Sequence, residues 1–285
     1  MDYALEITDL CKDYNGFNLK NVSFNVPKGS IMGFIGENGA GKTTTIKLIL
    51  NLIKRNNGDI KVLGLDNISD EKQIKQNVGV VLEGSYFHDY LTPSDISKIM
   101  RNIYQNWDNA QYLKYLNRFK LPENKVIKEF SKGMKMKLSI AAALSHESKL
   151  LILDEPTSGL DPVVRNEILD ILWDYIQNEE RAVLISSHIT SDLERIADYI
   201  TFIHDGEIVF SESKDDLINT HGMLKCGADD FKKIDEPDIL GYRKSQFGYE
   251  ILVKRETRNE NKYKDFVVDS INIDDIMLFY GRGEV

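Results

Sequence analysis

Gly36-Glu37-Asn38-Gly39-Ala40-Gly41-Lys42-Thr43 carries the residue types and spacing of a loop that cradles phosphates. Glycines let consecutive backbone N–H groups turn toward one anion, and a helix starting at the end of the loop adds its partial positive charge. Lys42 has the length to reach the β- and γ-phosphate oxygens, and the Thr43 hydroxyl can ligate Mg²⁺. Gly36, Asn38, Gly39, Ala40, Gly41, Lys42, Thr43 and Thr44 are therefore candidate nucleotide-binding residues. A chance glycine-rich turn is the plain alternative.

Phosphate chemistry also needs a carboxylate to place the metal and a group to orient or deprotonate the attacking water. Leu150-Leu151-Ile152-Leu153-Asp154-Glu155 offers two acids in succession at the end of an aliphatic run. Asp154 suits the metal and Glu155 the water. Without the glycine-rich loop the same run would be read as a strand ending in solvated charges.

The elements that must position these groups are legible in the apolar patterns. Val22-Ser23-Phe24-Asn25-Val26 alternates and stops at Pro27-Lys28-Gly29, as a half-buried strand would. Ile31-Met32-Gly33-Phe34-Ile35 is apolar throughout, which suits a strand covered on both faces. Ile46, Ile49 and Leu50 then predict a helix over about 43–52. Two more apolar strands, 150–153 and 182–185, flank an amphipathic helix over about 163–176, an alternation that predicts a parallel sheet with helices on its faces. From about 84 to 147 the pattern is helical, with Ile96, Ile99, Met100 and Ile103 on one apolar face. Ile200–Ile203 and Glu207–Phe210 around Asp205-Gly206 predict a hairpin with a primed turn. After about His221 the chain turns polar, with strand-like pieces at 249–253 and 265–268. A last helix has Asn272 as its cap and Ile273, Ile276, Met277 and Tyr280 on one face.

The 285 residues, 42% of them hydrophobic, can bury a sizeable core. No apolar run approaches the roughly 18 to 20 residues of a membrane-spanning helix, and the first residues lack the basic start and apolar stretch of a secretory signal. A cytoplasmic address is expected. Cys11 and Cys226 have no metal-ligand spacing and are read as ordinary thiols. The net charge of −9 argues against a protein that coats nucleic acid, and Lys132, Lys135 and Lys137 are expected to form a solvated helix face.

Between and after the two acidic and glycine-rich motifs, further segments narrow the class. Over about residues 1–220 the chain resembles the nucleotide-binding subunit of ATP-binding-cassette (ABC) transporters, with that family's motifs in order. Pro156-Thr157-Ser158-Gly159-Leu160-Asp161-Pro162 matches the D-loop, and His188 matches the switch histidine that contacts the γ-phosphate. On its own, His188 would be read as a structural histidine. Tyr14 matches the aromatic that stacks on adenine, although by default it is a core or surface ring. The signature, usually Leu-Ser-Gly-Gly-Gln, reads Phe130-Ser131-Lys132-Gly133-Met134. Ser131 and Gly133 remain, and a serine hydroxyl at a helix N-terminus can still bind a γ-phosphate or simply cap its helix. Glu83 stands where the family usually has a glutamine that meets metal and water; it can ligate Mg²⁺ but cannot donate as an amide does, and the alternative is a solvated loop acid.

The resemblance implies an α/β fold: a P-loop NTPase core with a mostly parallel sheet plus an antiparallel β part, the helical subdomain of about 84–147 inserted in it, and a small C-terminal α+β extension. It places the nucleotide-binding domain at 1–220 and an accessory region at 221–285. It further implies ATP and Mg²⁺ as cofactors, with Lys42, Glu155 and His188 catalytic and Thr43, Glu83 and Asp154 at the metal. The implied partners are a transmembrane permease subunit and a second ABC ATPase subunit, identical or a paralogue, at the inner face of the cell membrane, with no nucleic acid. Ser85-Tyr86-Phe87-His88-Asp89-Tyr90 lies where the family receives a coupling helix from the permease. The signature variant and the tail resemble bacterial exporters of antimicrobial peptides, bacteriocins or drugs. A soluble ABC-type ATPase acting on nucleic acid or the ribosome, and a low-turnover regulatory ATP-binding module, are the competing expectations.

Overall fold

The computed structural model describes residues 2–84, 87–245, 248–254 and 266–282. In chain order the first elements are β1 (Tyr3–Tyr14), β2 (Phe17–Pro27), β3 (Ile31–Ile35), α1 (Lys42–Ile49), β4 (Asn57–Val62), β5 (Leu65–Asp66), α2 (Glu71–Asn77) and β6 (Val78–Val81). A helical stretch follows, with α3 (Pro93–Ile103), α4 (Asn109–Arg118) and α5 (Lys132–Ala143). The chain then returns to strands: β7 (Leu150–Asp154), α6 (Pro162–Ile176), β8 (Ala182–Ser187), α7 (Thr190–Ile196), β9 (Tyr199–His204), β10 (Glu207–Ser213) and α8 (Lys214–Thr220). The last part comprises β11 (His221–Cys226), α9 (Ala228–Phe231), β12 (Ile239–Ser245), β13 (Gly248–Lys254), β14 (Val267–Asp269) and α10 (Ile273–Arg282).

The central sheet has the order β10-β9-β3-β8-β7-β6, parallel except for the β9–β10 hairpin. β3, β7 and β8 are buried along their whole length because both faces are covered, whereas the edge strand β10 alternates with Glu207, Ser211 and Glu212 and is largely open to solvent. Met32, Phe34, Ile152 and Leu184 point into a core shared with the antiparallel sheet β2-β1-β4-β5, whereas Ile31, Ile35, Leu153 and Ile185 point into a second core with the helices. The hairpin turn has positive φ at both Asp205 and Gly206, as a primed turn requires. A Cβ on Gly206 would lie 1.9 Å from the Asn18 carbonyl oxygen, so only glycine fits there.

Helix α3 opens with a capping box: Thr92 Oγ1 accepts from Asp95 N, and Asp95 Oδ2 accepts from Thr92 N and Oγ1. Its expected apolar face is only half covered. Ile96 is buried and Met100 partly so, but Ile99 and Ile103 are exposed, because α3 packs on α4 and α5 along one side; Ile103 borders an open groove. The lysine cluster also departs from expectation. Lys137 is buried, paired with Glu167 and lying over the Phe119 ring, and Lys135 pairs with Asp89; only Lys132 of the three is exposed.

The segment from His221, expected to be polar, instead forms a central strand of a third sheet, β12-β13-β11-β14. His221, Met223 and Leu224 are buried. Asn272 Oδ1 accepts from Asp275 N at 2.7 Å, and the fully covered face of α10 is Ile273, Ile276 and Phe279, with Met277 and Tyr280 at its flank. Phe279 takes the place expected for Tyr280. These residues lie in the same core as Leu193 and Ile196 of α7.

Candidate nucleotide site

β3 runs buried to Ile35, and the chain from Gly36 wraps back before α1 begins at Lys42. Gly39 and Gly41 have φ of 88° and 119°, a region side chains avoid. A Cβ on Gly36 would come within 2.5 Å of the Ile203 carbonyl oxygen, and one on Gly41 within 2.8 Å of Leu19, so close packing as well as backbone conformation selects glycine. Gly206 N donates to Ala40 O at 3.1 Å, tying the loop to the hairpin turn.

Lys42 is almost fully buried, and its Nζ donates to Gly36 O at 2.7 Å and Glu37 O at 3.2 Å, with Glu155 Oε1 3.5 Å away. Thr43 Oγ1 donates to Asp154 Oδ2 at 2.9 Å, and Ser186 Oγ donates to Asp154 Oδ1 at 2.6 Å. Asp154 is thus buried with both oxygens engaged. Parallel register explains the contact, since Asp154 at the end of β7 lies opposite Ser186 of β8.

Glu155 has φ of 51°, a left-handed conformation that costs a non-glycine residue on the order of 1 kcal/mol or more. Its N–H is held by Ser186 Oγ at 3.0 Å. The carboxylate is buried; Oε2 meets His188 Nδ1 at 2.7 Å, while Oε1 lies 3.5 Å from the Lys42 ammonium and has no hydrogen-bond partner among the described residues. His188 follows the end of β8 and is half-exposed.

A cleft of about 250 Å³ is lined by Phe17, Glu37, Asn38, Gly39, Gly41, Lys42, Thr43, Thr44, Glu83 and Glu155. Glu83 is exposed in the turn after β6 and faces this cleft. Tyr14 does not line it. The ring is 45% exposed at the end of β1, with the Lys12 ammonium 5.1 Å from its centroid. Ser131 and Gly133 lie apart from it at the start of α5, where Ser131 Oγ accepts from Met134 N at 3.2 Å and Gly133 sits against Val164. Asp161 caps α6 through the backbone N–H groups of Val163 and Val164.

A family model described as ABC transporter matches residues 19–158. The bacitracin transport ATP-binding protein BcrA of Bacillus licheniformis is 35% identical over 213 residues, covering 73% of this chain and 69% of that protein. The lantibiotic transport ATP-binding protein SrtF of Streptococcus pyogenes is 35% identical over 223 residues, covering 77% and 95%. The chain belongs to the ATP-binding subunits of ABC transporters. A solved ATP-binding subunit of an ABC transporter has the same fold, with a TM-score of 0.69 at 29% identity over 75% of this chain and 91% of that one.

As an ABC ATP-binding subunit the protein binds and hydrolyses ATP. Subunits of this family dimerise and work with transmembrane permease components. Among the described residues, no helix of this ABC subunit is long and apolar enough to cross a membrane. Two side chains that sequence reasoning passed over stand beside the ABC motifs. Ser186 joins Asp154 to Glu155, and Phe17 lines the cleft. Ser186 lies in an apolar strand before His188 and reaches Asp154 only through the parallel register of β8 on β7; Phe17 carried no local signal.

Proposed function

We propose that this subunit is the ATP-hydrolysing motor of an exporter whose transmembrane part is a separate polypeptide, and that its cargo is an amphipathic or antimicrobial peptide or a drug. The observation that carries the cargo class is the pair of relatives at 35% identity named for bacitracin and lantibiotic transport.

In this reading the backbone N–H groups of Gly39 to Thr44 hold the phosphates, and Lys42 exchanges its carbonyl contacts for phosphate oxygens. Thr43 and Asp154, whose oxygens already meet, hold Mg²⁺, with Glu83 at the edge of the same cleft. Among the described residues no three acidic, histidine or cysteine side chains converge to hold a metal by themselves, which suits an ion that takes few protein ligands and completes its shell with phosphate and water. When bound, Mg²⁺ neutralises charge on the β- and γ-phosphates. Glu155 accepts the proton of the attacking water on Oε1, which the Lys42 ammonium leaves as Lys42 turns to the phosphates, and His188 on Oε2 orients that carboxylate and meets the γ-phosphate. For Tyr14 to stack on adenine, the base extends past Phe17 beyond the cleft lining to that exposed ring. Ser131 and Gly133, remote from the cleft of their own chain, serve the ATP of a second cassette, identical or paralogous, in a head-to-tail pair.

The permease docks at the inner face of the membrane on an apolar groove of about 300 Å³ lined by Ile49, Leu52, Ile74, Val80, Ile103 and Tyr104 among others. Leu52 and Ile103 are each more than half exposed, an arrangement suited to an interface core. The aromatic run expected to receive a coupling helix does not line this groove: Phe87 is partly buried in an adjoining pocket with Val80 and Tyr104, Tyr90 is 73% exposed, and Ser85 and Tyr86 lie outside the described residues. The test is to tag Glu155→Gln, trap it with Mg-ATP in its native cell, and identify what co-purifies from detergent-solubilised membranes. A stoichiometric polytopic membrane protein is expected; recovery of only ribosomes, nucleic acid or the bare cassette would overturn the exporter reading.

A further inference from the structure

Helix α7 begins two residues after His188, so whatever fixes its first turn fixes the histidine. On the strand side, Ser187 Oγ accepts from Ile189 N at 2.9 Å. Ile189, in the cap position of α7, supplies no side-chain cap. On the helix side, buried Thr190 donates its hydroxyl to Asp274 Oδ1 in α10, 84 positions later. Four residues along α7, Glu194 Oε1 accepts from Ile273 N at 2.8 Å and satisfies an otherwise unpaired N–H at the start of α10. Between these two polar ties, Ile273, Ile276 and Phe279 pack into the core that holds Leu193 and Ile196. The C-terminal part therefore grips α7 by its first turn, and the Thr190–Asp274 contact is two positions from the histidine on Glu155.

We propose that Asp274 is a positioning residue for ATP hydrolysis: through Thr190 it sets the start of α7 and hence the place of His188 against Glu155, so that residues beyond the cassette core tune turnover. This rests on the reading of Glu155 and His188 given above. The Thr190 hydroxyl is buried, and without Asp274 it loses the partner the structure gives it, so the turn must rearrange to find another. Small displacements of a catalytic group are costly even when substrate binding is intact.

The experiment is steady-state ATPase kinetics on the full chain, with ATP affinity and thermal stability measured alongside. Asp274→Ala and Thr190→Val should each lower kcat on the order of 10-fold, leave KM and ATP affinity unchanged, and show no additive loss when combined. Asp274→Asn, which still accepts a hydrogen bond, should restore most of the rate. In a His188→Ala background, Asp274→Ala should have no further effect. Wild-type kcat in Asp274→Ala, or a loss seen equally in KM and in the Asp274→Asn protein, would overturn the proposal. If His188→Ala itself keeps full turnover, the catalytic reading fails instead; a slow Asp274→Ala with a fast His188→Ala would locate the effect elsewhere than the histidine. Should Asp274→Ala be too unstable to assay, Thr190→Val and Glu194→Ala, which removes the acceptor of the Ile273 N–H, supply the same comparison from the α7 side.

Discussion

Thr43 Oγ1 donates a 2.9 Å hydrogen bond to Asp154 Oδ2 across 111 positions of sequence. That bond joins the first turn of α1 to the end of β7, and Ser186 closes the other side of the same carboxylate. A glycine-rich loop and an acidic strand end, each ambiguous alone, become one site because the parallel sheet brings their ends together at its C-terminal edge. Glu155, the next residue, is then set by backbone conformation rather than by strand pleat.

Glu155→Gln should bind ATP with near wild-type affinity and lose about 10²- to 10⁴-fold in turnover, because the amide cannot take a proton from water. Single-turnover hydrolysis and nucleotide binding, measured on the same preparation, check this. Undiminished hydrolysis would assign the base to another group.

Ser186→Ala removes the hydroxyl that serves both Asp154 Oδ1 and Glu155 N–H. The expected cost is about 1–3 kcal/mol of stability, since a buried carboxylate oxygen loses a donor. Ser186→Thr, which keeps the hydroxyl, should cost less. Chemical denaturation midpoints distinguish the two.

The capping box of α3 gives a pH dependence of known sign. Hydrogen bonds from Thr92 and Lys98 pull the Asp95 carboxyl down to about 2. A carboxyl depressed on folding contributes stability that is complete above its unfolded value near 3.8 and disappears as pH falls toward 2. Wild type should therefore exceed Asp95→Asn in urea midpoint at neutral pH, with the gap closing between pH 4 and 2. A gap that widens on acidification would refute the assignment.

Ile276→Ala truncates a fully buried side chain in the core shared by α10 and α7. The expected loss is about 2–5 kcal/mol. Since that core is continuous with the helical side of the central sheet, denaturation followed by far-UV dichroism should show one transition, not a separate early melting of the C-terminal part. Two resolved transitions would mean that α10 contributes nothing to the cassette's cohesion.

Local pattern carried a large share of the architecture. β3, β7, β8, α1, α6 and the β9–β10 hairpin were legible because periodicity, glycine placement and the Asp205-Gly206 turn are short-range signals. The strand at His221–Cys226 was not legible, since Lys225 and the polar residues around it mask a buried strand whose partners, β13 and β14, come later in the chain. The exposure of Ile99 and Ile103 and the burial of Lys137 were hidden for the same reason: helical spacing says which residues share a face, not what covers it.

By itself the sequence determined the family motifs, the strand–loop–helix around Lys42 and the pairing of Asp154 with Glu155 at one strand end, because each depends on residues close together in the chain. Tertiary structure alone decided that Ser186 unites the two acids, that Phe17 rather than Tyr14 lines the cleft, that Glu155 adopts a left-handed backbone with His188 on one oxygen, and that α10 holds the helix after that histidine. These depend on sheet register and on packing between segments tens to hundreds of residues apart, which no local pattern encodes.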